Sequence, residues 1–177
     1  MKAKISVEKL KKFNVMDLED ICDATVDTMK ETVGFNIGTQ NIKEQQRDQI
    51  IKYWQGALLV PERSVFVGRL DGVIAGAVQL VKPSAGNHTS MFSCNLDNHF
   101  VAPWARGFGL SNAMLESAEI EARKLGFSII RLSIRETSEA AIKVFEKRGY
   151  IRWGILPKYE IDQDRIVAGY FYYKELG

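Results

Sequence analysis

Two glycines and an arginine occupy the segment VAPWARGFGLSNAMLESAE, residues 101 to 119, where a strand-like end gives way to a helical pattern. Glycine at 107 and at 109 lets the backbone adopt positive φ or approach another molecule closely. The helix that follows points its unpaired N–H groups and the positive end of its dipole at the same spot. The turn can therefore hold a phosphate group, or its glycines can merely let the chain reverse direction.

Two nucleotide-binding motifs can be tested against this turn. A Walker loop needs Gly-Lys-Ser/Thr, and a Rossmann loop needs a third glycine with an acidic residue after the next strand. Gly109 is followed by Leu110, Ser111 and Asn112. Neither motif is present.

Three polar side chains precede the turn on the strand-like stretch 90 to 102. Asn95, Asp97 and His99 share one face by the two-residue period of a strand. Carboxylates and imidazoles commonly act as general bases. The alternative is that Asp97 and Asn98 form a solvated bulge and that His99 packs in the core.

The first elements that surround these residues are helical. A short strand around residues 3 to 8 precedes a helix whose apolar residues, from 15 to 33, recur at spacings of three and four and which Asn14 caps. A loop over 34 to 39 and a second helix opened by Asn41 follow.

The strongest hairpin signal lies at 64 to 81, where SVFVGRL and VIAGAVQLV flank Asp71-Gly72. Asp-Gly suits a tight two-residue turn between antiparallel strands. The stretch 90 to 102 predicts a third strand of the same sheet, ended by Pro103.

The second half of the chain alternates helices and strands. The predicted elements are a helix from Leu110 to Gly126, a strand over 127 to 134, a helix that Thr137 or Ser138 caps and Gly149 closes, and strands at 150 to 156 and 165 to 176 separated by a break at Pro157. The strands before and after the first of these helices should lie parallel, joined by a right-handed crossover. This order predicts a mixed α/β (α+β-like) fold, with a sheet of six or seven strands flanked by about four helices.

Composition and charge exclude several classes of protein. The 177 residues are 46% hydrophobic and carry 24 basic and 22 acidic side chains along their whole length, which suits one domain over residues 1–177 and no nucleic-acid partner. The longest nearly apolar run, 73 to 81, is far shorter than the roughly 20 residues that span a bilayer. Cys22 and Cys94 lack neighbours at metal-ligand spacing. We expect a cytoplasmic monomer or homodimer with no metal and no membrane partner.

The turn resembles the acetyl-coenzyme A signature of the GNAT N-acetyltransferases, which is Arg or Gln, two residues, Gly, one residue, then Gly or Ala. Arg106, Gly109 and Ser111 stand at the three defined positions, and Ser111 is a mild departure. A second segment, SEAAIKVFEKRGY, resembles the family's Asn-x-x-Ala-x-x-x-Tyr-x-x-x-Gly-Phe/Tyr, with Ser138 at the Asn position and Phe145 at the Tyr position.

The closing strands and GAVQL, residues 76 to 80, resemble the tabtoxin-resistance type of this family in particular. The resemblance implies the acyl-CoA N-acyltransferase fold and acetyl-CoA as co-substrate, with its pyrophosphate on the N–H groups of residues 107 to 111 and its pantetheine arm along the strand that ends at Val101. The amides of Phe100 and Val101 are then candidates to stabilise the oxyanion. The residues that it implies for cofactor binding are Phe100, Val101, Arg106, Gly107, Phe108, Gly109, Leu110, Ser111, Ser138, Ala141 and Phe145.

The implied reaction is direct attack of a small molecule's primary amine on acetyl-CoA. An amine with a pKa near 10.4 is neutral in about one molecule in two thousand at pH 7, so a base would help. Family members often keep a base on the strand before the turn, and Asp97 is the first choice here and His99 the second. Alternative functions are a non-catalytic acyl-CoA sensor and a peptide or protein N-acetyltransferase.

Phe145 leaves the role of the general acid open, because the family's tyrosine commonly protonates the leaving thiolate. Ser138, Tyr150 and Tyr159 are possible substitutes, and a thiol with a pKa near 8.5 can also leave as thiolate without an acid. The residues considered for the walls of the acceptor site are Tyr53, Trp54, Tyr159, Tyr170 and Tyr172.

Overall fold

A computed structural model describes residues 3–31, 44–162 and 164–177. The predicted loop over 34 to 39, the predicted cap Asn41 and Val33 of the first apolar stripe lie outside the described residues. In the described part of the chain, no helix is both long and apolar enough to cross a membrane.

The described residues form four helices and seven strands. The helices are α1 (Val15–Glu31), α2 (Glu44–Leu59), α3 (Leu110–Lys124) and α4 (Glu139–Lys147). The strands are β1 (Ile5–Lys9), β2 (Arg63–Leu70), β3 (Val73–Val81), β4 (Ser93–Val101), β5 (Ile129–Arg135), β6 (Ile151–Asp162) and β7 (Arg165–Glu175). The strand order is β1-β2-β3-β4-β5-β7-β6. The mixed α/β class, the strand number and the helix number are thus confirmed.

The chain divides into two compact units. Unit 1 comprises Met1–Val81 and Asp97–Ala118, and unit 2 comprises Lys82–Leu96 and Glu119–Gly177. The single domain expected from the sequence stays a prediction.

Unit 1 contains the predicted hairpin and the predicted cap of the first helix. β2 and β3 pair antiparallel, and Asp71 and Gly72 between them have φ of 51° and 92°, as a tight turn with two left-handed residues requires. The Asp17 amide donates to Asn14 Oδ1 at 2.8 Å, which confirms the Asn14 cap. The core of this unit joins α1, α2 and the hairpin and includes Ile21, Cys22, Ile50, Trp54, Val65, Val67, Ile74 and Phe100.

Unit 2 contains the predicted parallel pair. The first residues of β4 pair with β5 from Ser93↔Ile129 to Asn95↔Arg131, in parallel. β7 pairs antiparallel with both β5 and β6.

Three local predictions in this half of the chain are wrong. β4 starts at Ser93 because residues 88–90 form a 3-10 turn. The two predicted closing strands are present as β6 and β7, but the break between them does not fall at Pro157, since β6 runs through it to Asp162 while its register with β7 shifts between Leu156 and Glu160. Proline is tolerated there because a bulge on the last strand of a sheet needs no ladder N–H at that position.

The third wrong prediction is the side-chain cap of α4. Ser138 stands at the N-cap position but makes no capping hydrogen bond. Thr137 precedes the N-cap position, and its Oγ1 donates to Asp162 Oδ2 at 2.6 Å.

Candidate active site

The glycine turn of unit 1 has the backbone geometry that a phosphate site requires. After β4, a 3-10 turn over Pro103–Ala105 leads to Gly107 and Gly109, whose φ values are 85° and 83°. Apart from the two chain neighbours of each glycine, no atom of the described residues lies within 4 Å of where a Cβ would stand, so the described part of the chain leaves the space in front of both open. L-residues are strained at such φ values, which explains why glycine occupies both positions.

α3 starts directly at this turn. Ala113 N–H donates to the Gly109 carbonyl at 3.1 Å, so Gly109 is the N-cap and the next amides lack acceptors within the helix. Leu110, the first residue of the helix, is buried. The open glycines and the helix start therefore suit an anion.

Arg106 reaches neighbouring protein groups from this turn. Its Nη1 lies 2.6 Å from Glu31 Oε2 at the end of α1, and its Nε donates to the Val101 carbonyl at 3.3 Å. The side chains of Arg106 and Glu31 are both about half exposed, at 47% and 50%. Arg106 thus ties the turn to β4 and α1, and its charge is paired with a carboxylate.

His99 of β4 also contacts this region. His99 Nε2 and Ser111 Oγ lie 2.9 Å apart, and both side chains are half buried. Ser111 belongs to the first turn of α3. The second choice for the base is therefore hydrogen-bonded to the cofactor signature.

Asp97 has a different set of partners. Its Oδ2 lies 3.1 Å from Arg63 Nη1, its Oδ1 accepts the Asn98 amide at 3.0 Å, and its side chain is 47% exposed. Asn98 has φ of 47°, which interrupts the two-residue alternation of β4. Asn95 and Asp97 are exposed and His99 is half buried. The shared polar face and the alternative of a solvated bulge both stay predictions.

Arg63 and Gln79 complete a polar network that the sequence reasoning missed. Arg63 Nη1 donates to Gln79 Oε1, Gln79 Nε2 donates to the Tyr53 hydroxyl at 3.0 Å, and Asn98 Nδ2 donates to the same hydroxyl. Gln79 is fully buried, and burial raises the pKa of Tyr53, so that this hydroxyl stays protonated in the neutral range. One polar residue inside the apolar run VIAGAVQLV was the available sequence signal.

Trp54 does not line an acceptor site. It is fully buried, its Nε1 donates to Thr25 Oγ1 at 3.0 Å, and its ring packs 6.0 Å from that of Phe100. Tyr53 of the same helix is half buried and carries the network described above. Phe100 itself is buried, so its ring belongs to the core of unit 1.

Unit 2 holds the remaining predicted cofactor contacts, Ser138, Ala141 and Phe145, near or in α4. Phe145 is buried and packs edge-on against Tyr150, with ring centroids 5.1 Å apart. The contact of these three residues with the cofactor stays a prediction.

In unit 2, three tyrosines considered for the general acid or for a wall of the acceptor site make hydrogen bonds within the protein. The Tyr150 hydroxyl donates to Glu119 Oε1 at 3.2 Å, and burial together with this carboxylate raises the pKa of Tyr150. The Tyr159 hydroxyl lies 2.6 Å from Ser133 Oγ. Tyr172 is fully buried and donates to Glu146 at 2.9 Å, so it does not line an open site.

The open glycine turn at the start of α3 suits a protein that binds a phosphate-bearing cofactor. The family model of the acetyltransferase (GNAT) family matches residues 26–150. The "uncharacterized N-acetyltransferase in hisH-hisA intergenic region" of Azospirillum brasilense is 44% identical over 133 residues, which are 75% of this chain and 77% of that protein.

Solved structures share the fold. The yncA protein of Salmonella typhimurium, solved with its cofactor acetyl-CoA, superposes with a TM-score of 0.75 at 16% identity over 98% of this chain and 95% of that one. An N-acetyltransferase from Staphylococcus aureus Mu50 gives a TM-score of 0.75 at 20% identity over 100% of both chains.

The chain belongs to the acetyltransferase (GNAT) family. It is an acetyl-CoA-dependent acetyltransferase, with acetyl-CoA as co-substrate. In the described ranges, no three His, Cys, Asp or Glu side chains gather into a group that could hold a metal ion.

Proposed function

We propose that this acetyltransferase acetylates the primary amine of a small molecule, with the pyrophosphate of acetyl-CoA on the turn from Arg106 to Ser111. The observation that carries the proposal is the pair of left-handed glycines, Gly107 and Gly109, with open space in front of them at the start of α3. Backbone N–H groups at such a turn favour a phosphate because they combine close approach with the helix dipole.

Acetyl-CoA carries the acetyl group already activated as a thioester. The acceptor's nitrogen attacks the carbonyl carbon, the C–N bond forms, the C–S bond breaks, and the sulfur leaves with the bonding electron pair as thiolate. The amides of Phe100 and Val101 are the proposed donors to the negative charge on the acyl oxygen. These two residues end β4.

Asp97 is the proposed base, and it takes the proton that the amine loses, through a water molecule. Its side chain is 47% exposed, so water and an acceptor can reach it, while Arg63 holds one of its oxygens at 3.1 Å. This single contact restrains the orientation of the carboxylate, as a group that transfers a proton requires.

The thiolate leaves without a tyrosine acid in this proposal. Phe145 has no proton to give, and the hydroxyls of Tyr150 and Tyr159 already have partners within unit 2. A thiol with a pKa near 8.5 is a sufficiently good leaving group for this step.

The polar network around Tyr53 favours a small-molecule acceptor over a peptide, in line with the resemblance to the tabtoxin-resistance type of acetyltransferase. The segment GAVQL, which resembles that type, contributes the buried Gln79, whose amide fixes the Tyr53 hydroxyl. Closed polar networks of this kind suit a defined small ligand because each donor and acceptor is held in one direction.

The test is a panel of acceptors at fixed acetyl-CoA concentration, with release of the coenzyme A thiol as the readout. Amino acids, aminoglycosides and other small primary amines form one arm, and peptides with free N-termini form the other. Turnover with small amines supports the proposal. Turnover with peptides alone would assign the chain to peptide or protein N-acetylation.

A further inference from the structure

His99 and Ser111 form a side-chain bridge across the glycine turn. His99 lies two residues before the end of β4, and Ser111 is the second residue of α3. Their Nε2 and Oγ atoms are 2.9 Å apart. The bridge therefore joins β4 and α3, the two elements that the proposed phosphate-binding loop connects.

The bridge commits one ring nitrogen of His99. In either tautomer Nε2 is engaged by the Ser111 hydroxyl, as acceptor in one case and as donor in the other. A general base must direct a ring nitrogen at the proton that it abstracts. The same nitrogen cannot hold Ser111 and serve the acceptor amine.

The direction of this hydrogen bond decides what Ser111 can offer a ligand. When Nε2–H donates to Ser111 Oγ, the hydroxyl hydrogen of Ser111 is left to donate to a second group. An anion in front of the loop favours this arrangement, because phosphate oxygens accept hydrogen bonds and hydrogen bonds to charged groups are the stronger ones.

Ser111 is also where the chain departs from the family's signature. The signature has Gly or Ala at this position, neither of which has a side-chain donor. A second brace, from Arg106 to the Val101 carbonyl at 3.3 Å, ties the same loop back to β4. A loop fixed before the ligand arrives loses less conformational freedom on binding.

We propose that His99 is a positioning residue of the coenzyme A site, which donates from Nε2 to Ser111 Oγ and so directs the Ser111 hydroxyl at a phosphate oxygen. In this tautomer Nε2 has no lone pair to take the amine's proton, and Asp97 stays the proposed base. The inference rests on the proposed function, in that the loop must bind the phosphates of coenzyme A.

The first experiment measures the affinity of coenzyme A by calorimetry for the wild type, Ser111→Ala, His99→Leu and the double variant. A hydrogen bond to a charged group is worth a factor of roughly ten or more, so Ser111→Ala is expected to weaken binding about tenfold. His99→Leu should weaken it by about three- to tenfold, and the double variant should be no weaker than Ser111→Ala, because His99 acts through Ser111. His99→Gln, which places an amide donor near Nε2, should recover most of the affinity.

Ser117→Ala provides the matched control on the same helix. Its hydroxyl donates to the Ala113 carbonyl at 3.0 Å inside α3, so its loss should leave coenzyme A affinity unchanged. Urea unfolding of every variant checks that the fold is retained.

The second experiment separates positioning from base catalysis with a donor that lacks phosphates. With acetyl-CoA, His99→Leu and Ser111→Ala should both raise KM and leave kcat nearly constant, and the loss of kcat/KM should be much smaller with S-acetylpantetheine, which has no phosphate for Ser111 to bind. If His99 were the base, kcat would fall about 100-fold or more with both donors, and that result would overturn the proposal.

The outcomes also separate this inference from the proposed function. A wild type that does not bind coenzyme A contradicts both. A wild type that binds it, with Ser111→Ala and His99→Leu binding equally well, contradicts the inference alone.

Discussion

Two carboxylates, Glu119 in unit 2 and Asp97 in unit 1, carry the same charge in opposite settings. Glu119 is 3% exposed and is bound by Arg148 at 3.0 and 3.2 Å, by Lys174 at 2.9 Å and by the Tyr150 hydroxyl at 3.2 Å. The side chain of Asp97 is 47% exposed, and Arg63 is its side-chain ion-pair partner. A carboxylate surrounded by protein donors holds structure together, whereas one that is half open to water can exchange protons with a substrate.

The pKa of Glu119 reflects this setting. Burial by itself raises the pKa, but the hydrogen bonds and charges of Arg148 and Lys174 outweigh burial and hold the pKa of Glu119 below its usual value. The neighbouring cations of unit 2 thus stabilise the ionised form of Glu119.

The largest expected effect is on stability at Glu119. Glu119→Gln leaves two partly buried cations, whose side chains are 17% and 18% exposed, without their counter-charge, which should lower the free energy of unfolding by about 2–3 kcal/mol. Urea denaturation at pH 7 measures it. Glu116→Gln, at an exposed position of the same helix, is the control and should change stability by less than about 0.5 kcal/mol. A loss below about 1 kcal/mol at Glu119 would contradict the structural role.

The pH dependence sharpens the same point. Because the folded-state pKa of Glu119 is depressed, its contribution is fully present above the unfolded pKa of about 4.3 and is lost as the pH falls through the folded value. The wild type should therefore lose stability relative to Glu119→Gln on acidification below about pH 4.3. If the free energy of unfolding of the two proteins changed equally with pH, the pKa of Glu119 would not differ between the folded and unfolded states, which would contradict this prediction.

Asp97→Asn should reverse the pattern, with a large effect on rate and a small one on stability. Loss of a general base costs about 100-fold or more in kcat/KM, while an exposed ion pair is worth only about 0–1 kcal/mol of stability. Steady-state kinetics with the best small amine and urea denaturation are the two measurements. Equal kcat/KM for variant and wild type would remove Asp97 from the mechanism.

Gly109→Ala tests the turn with an intermediate effect. At φ of 83° an alanine strains the loop by about 1–2 kcal/mol, so either the loop shifts or its amides lose their aim, and affinity for acetyl-CoA should fall about tenfold. Gly86→Ala is the control, because Gly86 is exposed, has no positive φ and has no atom near a Cβ. Equal affinity in both variants would move the phosphate site elsewhere.

The smallest expected effect concerns the two cysteines. Cys22 and Cys94 are buried, and burial raises the pKa of both thiols, to about 12 for Cys94. At pH 8 about one Cys94 thiol in ten thousand is then ionised, so the native protein should react with a disulfide reagent far more slowly than free coenzyme A does. Rapid titration of either thiol in the native protein would contradict this burial.

Local signals in the sequence were sufficient for most of the fold. Asp71-Gly72 predicted the hairpin because Asp-Gly is favoured in the tight turn with two left-handed residues that joins adjacent strands, and Gly126 predicted the end of α3 because glycine tolerates the positive φ, 85° here, that ends many helices. Pro157 misled because a proline removes one N–H, and whether the strand needs that N–H depends on a register that no local pattern encodes.

The site was predicted in part for the same reason. The two glycines of the turn act through their own backbone, so they could be recognised from the sequence. The partners of Asp97, His99 and Arg106 come from β2, α3 and α1 respectively, at sequence separations of 34, 12 and 75 residues. Contacts between residues so far apart in the sequence depend on the folded topology, and sequence periodicity does not predict them.

The most direct test of the account is titration of acetyl-CoA into the purified protein, followed by addition of small primary amines while the coenzyme A thiol is measured. The account predicts saturable binding that Gly109→Ala weakens, and amine-dependent thiol release that Asp97→Asn abolishes with binding unchanged. Absence of acetyl-CoA binding, or thiol release that neither variant alters, would contradict it.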